Sequence, residues 1–218
     1  MSTKRVPRSR PETAERRRDI LEAALEIFGS KGYNKGPLAE IAEQVGMTHA
    51  GILHHFGSKD ELLLEVLRYR DESDVAQLEQ RHIPTGVDLF RHLVRTAFAN
   101  AGRAGIVQAY AVLSAESVTD NHPAKDYFDG RYQTLRSEVA EAFTIVCLER
   151  GVHISEDRIK QASASILAVM DGLQVQWLLD QKQVDLGPAT MFAIEAIVSA
   201  VIDPRESPLG EGASGSTA

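Results

Sequence analysis

Apolar residues recur in this chain at three- and four-residue spacing almost from end to end, and no run sustains period-two alternation. Stripes of that spacing are buried by helices packing on helices, because a strand would send every second apolar residue to the wrong side. The expected fold class is therefore all-α.

Helix signals divide the chain. Pro11 suits a first helical position, and Ile20, Leu21, Ala24, Leu25, Ile27 and Phe28 form the stripe of a first helix that Gly29 and Gly32 are expected to end. A short helix is predicted over 38–45, with Gly36 as its N-cap and Pro37 in its first turn. Gly46-Met47-Thr48 makes a tight turn, and Thr48 caps a third helix running to about Phe56. Ser58-Lys59-Asp60-Glu61 is a capping box that opens a long helix over 58–81. Further helices are expected over about 86–101, 105–118, 123–150 (opened by Pro123), 156–180 (capped by Ser155) and 187–202, about nine in all. Residues 204–218, rich in Pro, Gly and Ser, read as a disordered tail.

Charge is unevenly spread. The net charge is −7, yet Lys4, Arg5, Arg8, Arg10, Arg16, Arg17 and Arg18 face only Glu12 and Glu15 in the first 18 residues. A basic arm on an acidic body is suited to holding phosphates locally, with a merely solubilising tail as the alternative. Cys147 is the single cysteine, so no internal disulfide forms, and its apolar setting reads as core. No stretch reaches the ~20 uncharged apolar residues of a membrane span. The basic N-terminus also lacks the apolar stretch of a secretory signal. A cytoplasmic protein without membrane contact is the expectation.

Three helices within 11–57, two of them joined by three residues, have the geometry of a helix-turn-helix whose second member enters the major groove. Ile52 and Phe56, four apart, turn inward, which leaves His49, Gly51, Leu53 and His54 outward for base edges and phosphates. Adjacent histidines at 54 and 55 diverge by about 100° on a helix, so no metal site is expected.

Residues 20–67, ILEAALEIFGSKGYNKGPLAEIAEQVGMTHAGILHHFGSKDELLLEVL, resemble the N-terminal domain of the TetR family of bacterial repressors. Phe28, Gly32-Tyr33, Ile41-Ala42, Val45-Gly46, His55-Phe56 and Ser58-Lys59-Asp60-Glu61-Leu62 carry the likeness. The resemblance implies that Thr48, His49, Gly51, Leu53 and His54 lie on the recognition helix. It also implies that His55, Lys59 and the Gly36-Pro37 helix start contact phosphate. The chain departs from the family's usual Tyr-Tyr at Leu53-His54, its Thr or Ser near Gly36-Pro37, and its frequent Lys at His49. Fewer tyrosine hydroxyls then grip phosphate, which leaves more to the arginine arm, and Leu53 suits a thymine methyl group.

The resemblance further implies a C-terminal helical domain, 58–203, for ligand binding and dimerisation, with 58–81 as its connecting helix and 1–10 as a basic disordered arm. Large apolar walls with a few polar groups suit an organic ligand, and Phe98, Tyr110, Leu113, Glu116, Tyr127, Phe128, Tyr132, Met170, Asp171 and Gln174 are the candidate lining. Glu116 would pair a ligand cation or an internal arginine such as Arg103 or Arg131. The last two helices carry more apolar surface than one face buries, so Leu173, Trp177, Leu178, Phe192, Ile194, Ile197 and Val201 are assigned to a homodimer interface. The expected partners are double-stranded operator DNA, a small organic effector and a second copy of the chain. With no nucleophile elbow, phosphate loop or metal-ligand set, neither enzyme activity nor a cofactor is expected. A DNA-binding regulator without an effector, governed by abundance or a protein partner, is the alternative.

Overall fold

The computed structural model describes residues 10–75 and 83–203, and every regular element within them is a helix. In chain order these are α1 (Arg10–Lys35), α2 (Leu38–Gln44), α3 (His49–Phe56), α4 (Lys59–Val75), α5 (Val87–Asn100), α6 (Ala104–Glu116), α7 (Lys125–Arg150), α8 (Glu156–Leu179) and α9 (Leu186–Ile202). The all-helical expectation holds. The arm before residue 10, the far end of the predicted 58–81 helix and the tail 204–218 lie outside the described residues.

Side-chain caps set several helix starts where the sequence places them. Thr48 Oγ1 accepts the Gly51 N–H at 3.1 Å, Ser58 Oγ accepts that of Glu61 at 3.0 Å, and Ser155 Oγ accepts that of Arg158 at 3.3 Å. Three predicted boundaries move. Gly29 does not end α1. A Cβ there would meet Ala109 at 3.0 Å, so the glycine is retained because α6 crosses α1 at that point. The break comes at Gly32, whose φ of 76° and ψ of 169° are open essentially to glycine alone. The N-cap of α2 is Pro37, while Gly36 is buried against Phe28 and the Gly32 carbonyl. Pro123 does not open α7, because the Ala124 N–H is taken by His122 Nδ1 at 3.2 Å and the helix begins at Lys125.

One apolar cluster runs through the helix-turn-helix and on into the body. It joins Ile20, Ala24 and Phe28 of α1 to Ile41 of α2, Ile52 and Phe56 of α3, and Leu62, Leu63, Val66 and Leu67 of α4. The same cluster takes in Tyr110 and Leu113 of α6 and Phe128 of α7, so its interior crosses the expected boundary at 57–58. A second cluster centres on the Phe90–Phe143 ring pair, 4.7 Å between centroids, with Cys147, Ile166 and Ile194 around it. By length and composition α8 alone among the described helices is apolar enough to cross a bilayer, yet it packs on α6, α7 and α9 as an interior helix of the bundle.

That packing corrects part of the interface assignment. Trp177, Ile194 and Val201 are buried within the protomer, while Leu173, Leu178 and Ile197 are half-buried. Phe192 is 75% exposed and Leu179, absent from the sequence-based assignment, 82%. Val175 and Met191 also lie open on these helices. Helical spacing counts apolar residues but does not say which neighbour covers them.

Candidate DNA-reading surface and effector pocket

The short α3 owes its orientation to Ile52 and Phe56, buried in the first cluster, and to its Thr48 cap. Thr48, His49, Ala50 and His54 are exposed, whereas Leu53 is half-buried and packs partly on the cluster. Ala50 was missed by the sequence reading, although its place beside His49 on the first turn was a sufficient signal. Removing the cap hydroxyl by Thr48→Ala is expected to cost about 1 kcal/mol in urea unfolding, with Thr48→Ser close to the parent.

Several predicted phosphate contacts are engaged inside the molecule. Lys59 Nζ donates to the Tyr33 carbonyl at 2.5 Å and lies 4.4 Å from the centre of the Tyr33 ring. Burial lowers its pKa, against the attraction of Asp60 and Glu116. Its ammonium therefore braces the end of α1 before it can reach a phosphate. The backbone carbonyl of half-buried His55 accepts from Arg17 Nη1 at 2.8 Å. The same guanidinium stacks 4.2 Å from the Phe56 ring centre and pairs with Glu65 at 2.7 Å. Its hydrogen bond holds Glu65 below the ordinary carboxylate range, so the contact contributes fully at neutral pH and is lost on acidification through that lowered pKa. Arg17 thus acts as a strut joining α1, α3 and α4. Buried Gly36 offers phosphate no surface, while Pro37 is exposed.

A second junction ties α1 to α6. Glu116 Oε2 accepts the Tyr33 N–H at 2.7 Å, directly beyond the Gly32 break. Burial pushes the His122 pKa down, so its Nε2, 3.9 Å from Glu116, makes no ion pair at neutral pH. The Glu116 carboxylate therefore closes the end of α1 and does not line a ligand pocket. Its partner is 83 residues away in sequence, beyond the reach of any local pattern.

An inner chamber between α4 and the body adjoins an outer groove among α6, α7 and α8. The chamber, of about 160 Å³, is lined by Arg70, Asp71, Tyr110, Arg131, Tyr132, Glu138, Met170, Asp171 and Gln174, among others. The groove, of about 550 Å³, shares Tyr110, Tyr132, Asp171 and Gln174 with it, and adds Ala111, Ser114, Val118, Phe128 and Val175. The groove is within the range of small-molecule sites, whereas the chamber suits only a head group. Of the predicted lining, Tyr110, Phe128, Tyr132, Met170, Asp171 and Gln174 meet there. The other four do not. Phe98 is 48% exposed and packs where a Gly187 side chain would stand. Leu113 is consumed by the first cluster. Glu116 is engaged as above, and Tyr127 donates its hydroxyl to Asp71. Arg103 is likewise turned away, donating to Asn100 at 2.5 Å.

The chamber is electrostatically dense. Asp71 of α4 binds Arg131 at 2.7 Å and Arg70 at 3.1 Å, and accepts from Tyr127. Arg70, only 5% exposed, stacks 4.3 Å from the Tyr110 ring centre. Asp171 accepts the Tyr132 hydroxyl at 2.6 Å. Burial raises the Asp171 pKa, while Tyr132, Arg70 and Arg131 oppose that shift. Arg70, Asp71 and Glu138 were missed by the sequence reading. Arg70 and Asp71 follow Val66 and Leu67 by four residues each, and so continue the buried stripe of α4.

Comparison with known proteins places the family and the fold. Residues 20–66 match the model of "Bacterial regulatory proteins, tetR family". The transcriptional activator FasR of Mycolicibacterium smegmatis is 35% identical over 203 residues, 88% of this chain and 83% of its own length. The transcriptional repressor BepR of Brucella suis is 27% identical over 210 residues, 92% of this chain and 99% of its own. Among solved structures, the SmeT–triclosan complex superposes with a TM-score of 0.67 at 19% identity, over 85% of this chain and 91% of the other. FadR from Bacillus subtilis, bound to stearoyl-CoA, gives 0.65 at 17% identity, over 84% and 97%. At those identities the superpositions speak to the fold. With a 35% identical relative aligned across most of both chains, and the family model lying over the helix-turn-helix, this chain belongs to the TetR family of bacterial transcriptional regulators, which are DNA-binding proteins and not enzymes.

Proposed function

We propose that the protein is a dimeric repressor, released from a two-fold related operator by a small organic effector. One observation carries this reading. A single helix, α4, is anchored at its start to the reading head by Lys59 on the Tyr33 carbonyl, and twelve residues later its Asp71 forms part of the chamber wall. An effector pressing on Tyr110 and the chamber wall displaces the Asp71 end of α4 and tilts α3. A coupling of about 1–3 kcal/mol would weaken operator binding about 5- to 150-fold.

In this reading Thr48, His49, Ala50 and His54 face the major groove, with Gly51 and Leu53 behind them. Pro37 and the basic arm, residues 1–10, meet the backbone. The exposed Phe192, Leu179 and Met191, flanked by half-buried Leu173, Leu178 and Ile197, are the surface for a second copy. Two-fold pairing sets the reading helices about 34–36 Å apart, one turn of duplex.

The test is fluorescence anisotropy of the purified chain with duplex DNA from upstream of its own gene, titrated with KCl. The logarithm of affinity is expected to fall linearly with the logarithm of salt, by roughly 0.9 for each phosphate contacted. His49→Ala and His54→Ala are expected to reduce discrimination between that duplex and a scrambled one. Failure to bind duplex DNA at low salt, or a flat salt dependence, would overturn the reading.

A further inference from the structure

Two polar side chains on α8 are left over once the internal contacts of the chamber are assigned. Asp171 accepts one hydrogen bond among the described residues, from Tyr132, and its other oxygen has no protein donor. Gln174, three residues on and 7% exposed, makes no hydrogen bond to any described residue. Both side chains line the chamber and the groove. The Gln174 amide opens onto these cavities, so its hydrogen-bonding capacity is available to a ligand that displaces water there. Their separation of three residues puts them on one face of α8.

The surrounding charges select the kind of head group. Arg70 and Arg131 are both turned onto Asp71. Two guanidiniums and His92 share the chamber with the carboxylates of Asp71, Asp171 and Glu138, so the chamber holds no surplus positive charge for an entering anion. An entering monocation meets Asp171 beside the rings of Tyr110 and Tyr132, which also favour positive charge. A quaternary ammonium would satisfy the charge but leave the Gln174 carbonyl without a donor. A primary or secondary amine supplies N–H groups to both. Outward from this point the groove offers Ala111, Val118, Phe128 and Val175, a wall for an apolar body.

Building on the effector-responsive reading above, we infer that the effector is an amphiphilic primary or secondary amine. Its protonated nitrogen bridges Asp171 and Gln174, and its hydrocarbon or aromatic body lies along the α6–α7–α8 groove.

Isothermal titration of the full chain with 4-phenylbutylamine, 4-phenylbutan-1-ol and 4-phenylbutanoate isolates the head group on a constant body. The amine is expected to bind at least tenfold more tightly than the alcohol, with the carboxylate weakest. Asp171→Asn keeps an acceptor for Tyr132 and is expected to bring the amine down to the level of the alcohol measured on the same variant. Gln174→Leu, a second and independent variant, is expected to weaken the amine several-fold and by more than it weakens the alcohol. Preference for the carboxylate, an amine advantage that survives Asp171→Asn, or no amine binding by the folded chain each overturns the inference. Operator binding by the same preparation is read separately. If the chain binds DNA and the amine series fails, the head-group assignment alone is lost; if it binds amine but no DNA, the regulator reading is lost.

Discussion

Gly32→Ala is expected to lower stability by about 4 kcal/mol and the melting temperature by roughly 10 °C. Two effects add. A residue with a Cβ is strained at a φ of 76° and ψ of 169°, by about 1–3 kcal/mol. The new methyl would also stand 2.1 Å from Glu116 Oε1. The carboxylate is flexible enough to swing away, but in doing so it gives up its charge-assisted bond to the Tyr33 N–H, worth about 1.5–3 kcal/mol. Glu116→Gln, which leaves the backbone relaxed and keeps an acceptor, is expected to lose less than half as much. Urea unfolding with parallel thermal melts checks both variants. A Gly32→Ala protein melting within about 2 °C of the parent would mean that the break in α1 relaxes to ordinary helix without cost.

Asp71→Ala has the second largest expected effect, about 3 kcal/mol. It removes the carboxylate bound to Arg131 at 2.7 Å and one of the partners of Arg70, a residue 5% exposed. The figure sits at the low end for a broken buried pair because Asp171 remains near both. Adding Arg131→Met to Asp71→Ala should restore part of the loss, since one orphaned charge then leaves as well. The double-mutant cycle measured by urea unfolding is therefore expected to show coupling above 1 kcal/mol. Simple additivity would show that the Arg131–Asp71 contact contributes nothing.

The fold was legible because its signals are local. Thr48, Ser58 and Ser155 cap where polar side chains meet the start of an apolar stripe, and the three-residue turn at Gly46-Met47-Thr48 leaves few other geometries. Boundaries slipped where a distant partner decided them, as at Gly29, which stays helical because Ala109 lies against it. The candidate pocket was legible only in part. Tyr110, Phe128, Tyr132, Met170, Asp171 and Gln174 follow from the helical faces of α6, α7 and α8. Arg70 and Asp71 resemble a solvated run until the four-residue step from Val66 and Leu67 is taken seriously. The internal partners of Glu116 and Lys59 were not legible, because a charged side chain turned back onto a backbone group looks, in sequence, the same as one offered to a ligand or to DNA.

The crossing at Gly29 also bears on protein engineering. The three atoms nearest a Cβ at Gly29 all belong to Ala109, so at this point α1 and α6 approach with no room between them for a larger side chain. A chimaera that grafts this reading head onto a foreign sensor would have to carry an equally small residue at the crossing. One placing leucine there should wedge the halves apart, however well its own sensor folds.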